Sequence, residues 1–209
     1  MEQLFQHLAK SLGSVPLLDV VDPDRGISYG VVLTGLDFEN GIPTLRAGDL
    51  KRFRVALDSV KRIDPNIEAK YKRTRLRGNE VLLRIRGGLG EVAVCPKEMI
   101  GGNVSREIAV IPVTDRLDVY YLMYALATPS SQDFMKSKTR GTSYVGINLR
   151  DVRKLPVPIP PAEEQYRVVA YLDGLRANIE RLKQLQIQTT IELEALFPSI
   201  LDKAFKGEL

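Results

Sequence analysis

The residue types that catalysis needs are scarce in this chain. His7 is the one histidine and Cys95 the one cysteine among 209 residues. A Ser–His pair or a metal cluster is hard to assemble from one of each. His7 also falls in an amphipathic N-terminal stretch, where a surface or core role is the ordinary one. No GxxxxGK[ST] phosphate loop occurs, and Gly87-Gly88-Leu89-Gly90 does not open a helix with a basic residue. Enzymes that methylate base amino groups carry Asn/Asp-Pro-Pro-aromatic, whereas Pro160-Pro161 stands here between Ile159 and Ala162. One enzymatic spacing is present. Glu68-Ala69-Lys70, with Asp58 or Asp64, matches the Asp…Glu-x-Lys pattern that holds Mg²⁺ and a water in nucleases. It lies in Lys61–Arg77, which reads more simply as a basic surface. No catalytic and no metal-binding residue is assigned.

The basic residues suggest binding instead. Residues 46–86 hold 13 Lys+Arg against 5 Asp+Glu, a net +8 within a chain of net +4. Lys70-Tyr-Lys-Arg-Thr-Arg-Leu-Arg77 packs five cations around a tyrosine and a threonine. Lys136-Ser-Lys-Thr-Arg-Gly-Thr-Ser-Tyr144 reads as a second basic, hydroxyl-rich loop. Cations and hydroxyls suit phosphate oxygens, and arginine forks suit guanine edges. The candidate duplex-DNA contacts are Arg52, Arg54, Lys70, Lys72, Arg73, Arg75, Arg84, Arg86, Arg106, Lys136, Lys138, Arg140, Thr142, Ser143 and Tyr144. The plainer alternative is a solvated basic face.

The elements that must carry these residues divide at Leu155-Pro-Val-Pro-Ile-Pro-Pro161, where four prolines in six positions exclude helix and central strand. Before it, short strand-like runs alternate with turn signals: Ile27–Leu33, Gly41–Leu45, Glu80–Arg86, Gly90–Val94 and Arg106–Val113. Asp64-Pro65 opens a short helix through Lys70, and Asp115 is expected to cap another bearing Leu117, Tyr120, Tyr121 and Tyr124. After it, Ala162–Phe197 is helix-like, about 36 residues or roughly 54 Å. Val168, Leu175, Leu182, Thr189 and Leu196 share one heptad position, and Leu172, Ile179, Gln186 and Leu193 another. A seam of period 3.5 on so long a helix calls for a partner helix. Pro198 is expected to end it, with Ser199 capping a last turn. The expected fold is α+β: a mixed domain at residues 1–155, a hinge at 156–161, and a coiled-coil helix at 162–209. A single cysteine and no long apolar run fit a cytoplasmic protein with no membrane association.

These motifs resemble a known family. LPVPIPPAEEQYRVVAYLD, Leu155–Asp173, is similar to the conserved element that follows each target recognition domain in the specificity (HsdS) subunits of type I restriction–modification systems. SILDKAFKGEL, Ser199–Leu209, resembles the C-terminal signature of that family. Ile42–Leu50, Leu76–Val94 and Gly141–Leu155 are similar to recurring landmarks of its recognition domain. The resemblance implies a non-catalytic subunit that chooses the DNA sequence for a modification and a restriction subunit. S-adenosylmethionine, ATP and Mg²⁺ would then sit on those partners, and this chain would hold no cofactor. It also implies that Glu164, Gln165 and the outer face of the helix dock the modification subunit. Family members usually carry two recognition domains and two long helices. One of each is visible here, so the expectation is a natural half-subunit, or a piece of a longer chain, that dimerises through antiparallel helices. A coiled-coil adaptor with an incidental basic domain is the main alternative, and the Mg²⁺ nuclease a second.

Overall fold

The computed structural model describes residues 1–139 and 145–207. It is α+β with a long C-terminal helix, as expected. Strands are short because the sequence interrupts them with turn residues every few positions. In chain order they are β1 (Val15–Pro16), β2 (Ser28–Tyr29), β3 (Ile42–Leu45), β4 (Leu50–Lys51), β5 (Arg54–Val55), β6 (Lys61–Ile63), β7 (Glu80–Arg84), β8 (Val92–Val94), β9 (Asn103–Val104), β10 (Ile108–Pro112) and β11 (Pro156–Val157). The helices are α1 (Glu2–Leu12), α2 (Pro65–Glu68), α3 (Val119–Leu126), α4 (Pro129–Ser137), α5 (Leu149–Val152) and α6 (Ala162–Lys206). By internal contacts the chain divides into Met1–Arg167 and Val168–Leu209.

The first unit is organised by an antiparallel sheet in the order β2-β10-β7-β8. Val81, Leu82 and Leu83 of β7 and Ile108–Ile111 of β10 are buried, so these two central strands read as near-continuous apolar runs. Leu45, Leu76, Leu82, Val104, Ile108 and Met99 form one core cluster, and Cys95 belongs to it. Burial pushes the Cys95 thiol up to about 12, so it is a packing residue without thiolate character. A second sheet, β6-β3-β9, pairs β3 with β9 in parallel and with β6 antiparallel.

Asp118, not Asp115, caps α3, accepting from the backbone N–H groups of Tyr120 and Tyr121 at 2.8 and 2.9 Å. The helix therefore starts later than the tyrosine spacing suggests. Helix α4 is absent from the sequence reading. Thr128 caps it and Pro129 fills its first position, a start signal in the residues that the loop reading of the following segment passed over. Lys136 accordingly sits in its last turn and Lys138 just beyond it. Tyr121 is buried against Phe5 of α1, ring centroids 5.2 Å apart, and its hydroxyl donates to the Pro158 carbonyl at 2.9 Å.

The proline segment is extended, and β11 within it pairs with β1 in a two-residue edge ladder. The N-terminal strand thus fixes the segment that precedes α6. Helix α6 runs through Pro198 to Lys206 without the break expected there. Proline removes one hydrogen bond and costs about 3 kcal/mol. The flanking Glu192–Leu196 and Ile200–Phe205 residues are good enough helix formers to carry the helix past that defect.

Candidate nucleic-acid interface

The basic segment 69–77 rests on two buried carboxylates. Glu80, at the start of β7, has no exposed surface. It accepts from Arg25 Nη1 at 2.6 Å and from the backbone N–H groups of Arg77 and Gly78 at 2.8 Å each. Arg25 Nη2 donates to the Arg75 carbonyl at 2.9 Å, and Arg73 Nε donates to the Arg25 carbonyl at 2.7 Å. Glu68 is buried too. It pairs with the Arg75 guanidinium and accepts from Asn103 Nδ2 at 3.1 Å. Thr74 Oγ1 donates to Asn103 Oδ1 at 2.8 Å, which closes the network.

This arrangement sorts the basic residues. Lys70 and Lys72 project into solvent from a 3₁₀ segment, Ala69–Thr74. Arg73 and Arg75 are partly exposed but already hold intramolecular partners, so they tie the segment down as well as charging it. Glu68 is the residue a nuclease reading requires as metal ligand. Its oxygens are taken by Arg75 and Asn103, and Asp64 caps α2 through Asn66 N at 2.7 Å. No group of three or more His, Cys, Asp or Glu among the described residues is placed to hold a metal. The nuclease spacing is a helix-start pattern here.

Arg75 beside Glu68 holds that carboxyl below its ordinary value, outweighing the opposing effect of burial. A carboxylate with a lowered folded-state pKa stabilises the fold above its unfolded-state pKa. That contribution is lost as pH falls through the folded-state value. Glu68→Gln is therefore expected to lower stability at pH 7 and to flatten the acid side of the stability–pH curve. Urea unfolding at a series of pH values between about 3 and 7 checks it.

A second basic group surrounds the turn between β7 and β8. Arg84 and Arg86 are half-buried on and just after β7, with Arg84 Nε donating to the Arg86 carbonyl at 3.3 Å. Arg52 lies over the Phe53 ring, 5.1 Å from its centroid, at the turn between β4 and β5. Lys136 pairs with Asp133 at 3.5 Å, and Lys138 stands over the Phe134 ring at 5.9 Å. Arg54 is exposed on β5, and Arg106 pairs with Glu107 at 3.5 Å. Arg140, Thr142, Ser143 and Tyr144 lie outside the described residues, although Gly146 just after them bridges to Arg86.

On α6, two expected seam residues are covered within the single chain: Val168 and Leu172 are only 3% and 5% exposed. The open seam begins at Leu175 and continues through Ile179, Leu182, Gln186, Thr189, Leu193 and Leu196, all exposed, with Leu182 at 60% and Leu193 at 62%. Thr189 Oγ1 donates back to the Leu185 carbonyl at 2.9 Å. Ile187 and Ile191 add an exposed apolar patch off the seam.

Gln165 is also not the docking residue expected. It is buried, with Nε2 donating to the Pro160 and Arg116 carbonyls at 2.9 and 3.1 Å and Oε1 accepting from Asp118 N at 2.8 Å. It fastens the start of α6 to the hinge and to the turn before α3. Glu164 stays partly exposed, paired with Arg167 at 3.5 Å.

Sequence reasoning missed Arg25 and Glu80, which form the clamp. An acidic residue at the head of an apolar strand run, inside a strongly basic region, is the signal that could have flagged Glu80.

The profile of the type I restriction modification DNA specificity domain matches residues 35–193. The chain belongs to that family. Among curated proteins, the EcoBI specificity subunit of Escherichia coli is 30% identical over 194 residues, covering 92% of this chain and 41% of that protein. The MjaIX specificity subunit of Methanocaldococcus jannaschii is 27% identical over 175 residues, 80% of this chain and 39% of its own length. The crystal structure of the HsdS subunit from Thermoanaerobacter tengcongensis superposes with a TM-score of 0.62 at 25% identity, over the whole of this chain and 51% of that one. This specificity-domain chain thus spans about two fifths to one half of these relatives. No helix among the described residues is long and apolar enough to cross a membrane.

Proposed function

We propose that this chain is the DNA-choosing component of a type I restriction–modification complex and performs no catalysis itself. The observation that carries the reading is the basic segment 69–77, pinned from beneath by Glu68 and Glu80 so that Lys70 and Lys72 face solvent at fixed positions. A segment ordered in advance loses less entropy when it meets phosphates. Membership of the specificity-domain family and the likeness to curated specificity subunits support it. Lys70→Ala with Lys72→Ala is expected to weaken binding to all duplexes alike and to lower the salt slope by about 2, one per lost phosphate contact. Affinity that stays flat from low to moderate salt would instead favour the adaptor reading.

In the same reading the modification subunit brings S-adenosylmethionine, and the restriction subunit works with ATP and Mg²⁺. The partly exposed Glu164 and the Ile187/Ile191 patch are the surfaces offered to those subunits. Two copies of this chain pair through antiparallel α6 helices. Support comes from the exposed seam, Leu175 to Leu196, with Gln186 at its middle. A polar residue at the two-fold axis meets a polar residue, and any slip sets Gln186 against leucine with its amide unpaired. Two identical readers about a two-fold axis would read two inverted half-sites across an unread spacer.

A further inference from the structure

The turn between β7 and β8 and the end of α4 enclose a cleft of about 230 Å³. Its walls include Arg52, Leu89, Gly90, Glu91, Gln132 and Lys136. One of these residues, Glu91, carries an oxygen that is out of balance. Glu91 Oε2 is buried and has no hydrogen-bond partner among the described residues. A carboxylate oxygen withdrawn from water costs free energy until a donor meets it.

The rest of the cleft is held in place. Gln132 Nε2 donates to the Gly90 carbonyl at 3.0 Å and to the Leu126 carbonyl at 2.8 Å. Both amide hydrogens are thereby engaged, and the glycine turn is tied to the helix. Gly90 has φ +98°, a backbone conformation that other residues adopt only with strain, so the turn favours glycine there. Next to Arg52 in the chain, Phe53 adopts φ 65°, a left-handed conformation that a bulky side chain rarely takes. Its N–H donates to the Val92 carbonyl at 2.7 Å, and its ring rests on Tyr124, centroids 5.3 Å apart. These contacts keep the strained turn in being, and the turn brings Arg52 to the cleft. Backbone strain maintained by its surroundings is a mark of a built site.

The chemistry of the walls selects among ligands. Arg52 and Lys136 offer donors and Glu91 an acceptor. A phosphate would suit the cations but meet the Glu91 carboxylate. The major-groove edge of guanine presents two acceptors and thymine one, so both leave Glu91 unmatched; cytosine presents only a donor. Adenine presents the N6 amino donor beside the N7 acceptor. We propose that this cleft reads one adenine of the target, Glu91 accepting from N6–H while Arg52 or Lys136 donates to N7. The proposal rests on the DNA-recognition reading above.

Selection of binders from a random duplex library by the 209-residue chain tests it, run with the wild type, Glu91→Ala and Glu91→Gln. The wild type is expected to select a motif with an adenine whose replacement by guanine lowers affinity about tenfold or more. Glu91→Ala is expected to lose that discrimination at one position alone, with the other positions and the salt slope unchanged. Glu91→Gln keeps the side-chain shape and serves if the alanine variant fails to fold. Its amide can accept from adenine or donate to guanine, so it is expected to stop distinguishing the two. Motifs identical to wild type in both folded variants would overturn the cleft assignment and leave DNA recognition standing. A wild-type chain that binds no duplex would remove both.

Discussion

The variant carrying Leu182→Glu and Leu193→Glu is expected to sediment as a monomer at concentrations where the wild type is expected to be a dimer. Both residues lie on the seam of α6 and are more than half exposed in the single chain, so the substitutions leave the monomer's own core alone. In a two-fold dimer each substitution occurs twice. Four leucines at about 1.5–3 kcal/mol each amount to roughly 6–12 kcal/mol of lost apolar burial, before any repulsion between the new carboxylates. A loss of that size raises the dimer dissociation constant by more than about 10⁴-fold. Sedimentation equilibrium reads it directly, and circular dichroism should show the first unit intact. Val168→Glu or Leu172→Glu would be a poor choice for the same purpose. Both residues are buried in the single chain, and a charge there would damage the fold itself.

Glu80→Ala is the substitution expected to cost most within the first unit. It removes the partner of Arg25, which is itself only 6% exposed, and strips the acceptor from the N–H groups of Arg77 and Gly78. Breaking a buried pair from one side leaves an uncompensated charge, worth about 3–5 kcal/mol. For a chain of this size, that corresponds to a fall of roughly 6–20 °C in Tm. The double variant Arg25→Met, Glu80→Leu should recover part of the loss, because replacing both charges by apolar groups removes the unpaired ion. It should not recover all of it, since the two backbone donors still lack an acceptor. Thermal unfolding of the three proteins measures the differences. A loss for Glu80→Ala below about 1 kcal/mol would mean that the clamp does not hold the basic segment.

Much of the architecture was legible because it rests on periodicity and on proline. The long helix after Pro161 follows from local residue types, and so do β3, β7, β8 and β10, whereas the division by internal contacts falls at Arg167, beyond the expected boundary. The missing elements depend on pairings far apart in sequence. The two-residue β1 could not be seen without its partner Pro156–Val157, some 140 residues later. The same holds for the site. Charge counting finds Lys70, Lys72, Arg73 and Arg75 together, but only the fold shows that Glu68 and Arg25 engage two of them. The seam pattern on α6 places Val168 and Leu175 in one class, since a heptad records spacing and not which turns are already covered. Gln165 was conspicuous in the sequence as part of a Glu-Gln pair, and its three hydrogen bonds give it a structural role instead.

This chain is proposed to choose DNA sequence as a two-fold pair. Methylome sequencing of cells that express it together with its modification subunit, compared with cells that express the modification subunit alone, tests this most directly. The expected result is new adenine methylation confined to one motif, made of two inverted half-sites around a fixed spacer. The absence of any motif that depends on this chain would overturn its proposed role in DNA choice, and a motif whose two halves are unrelated, with no second specificity chain present, would overturn the two-fold pair.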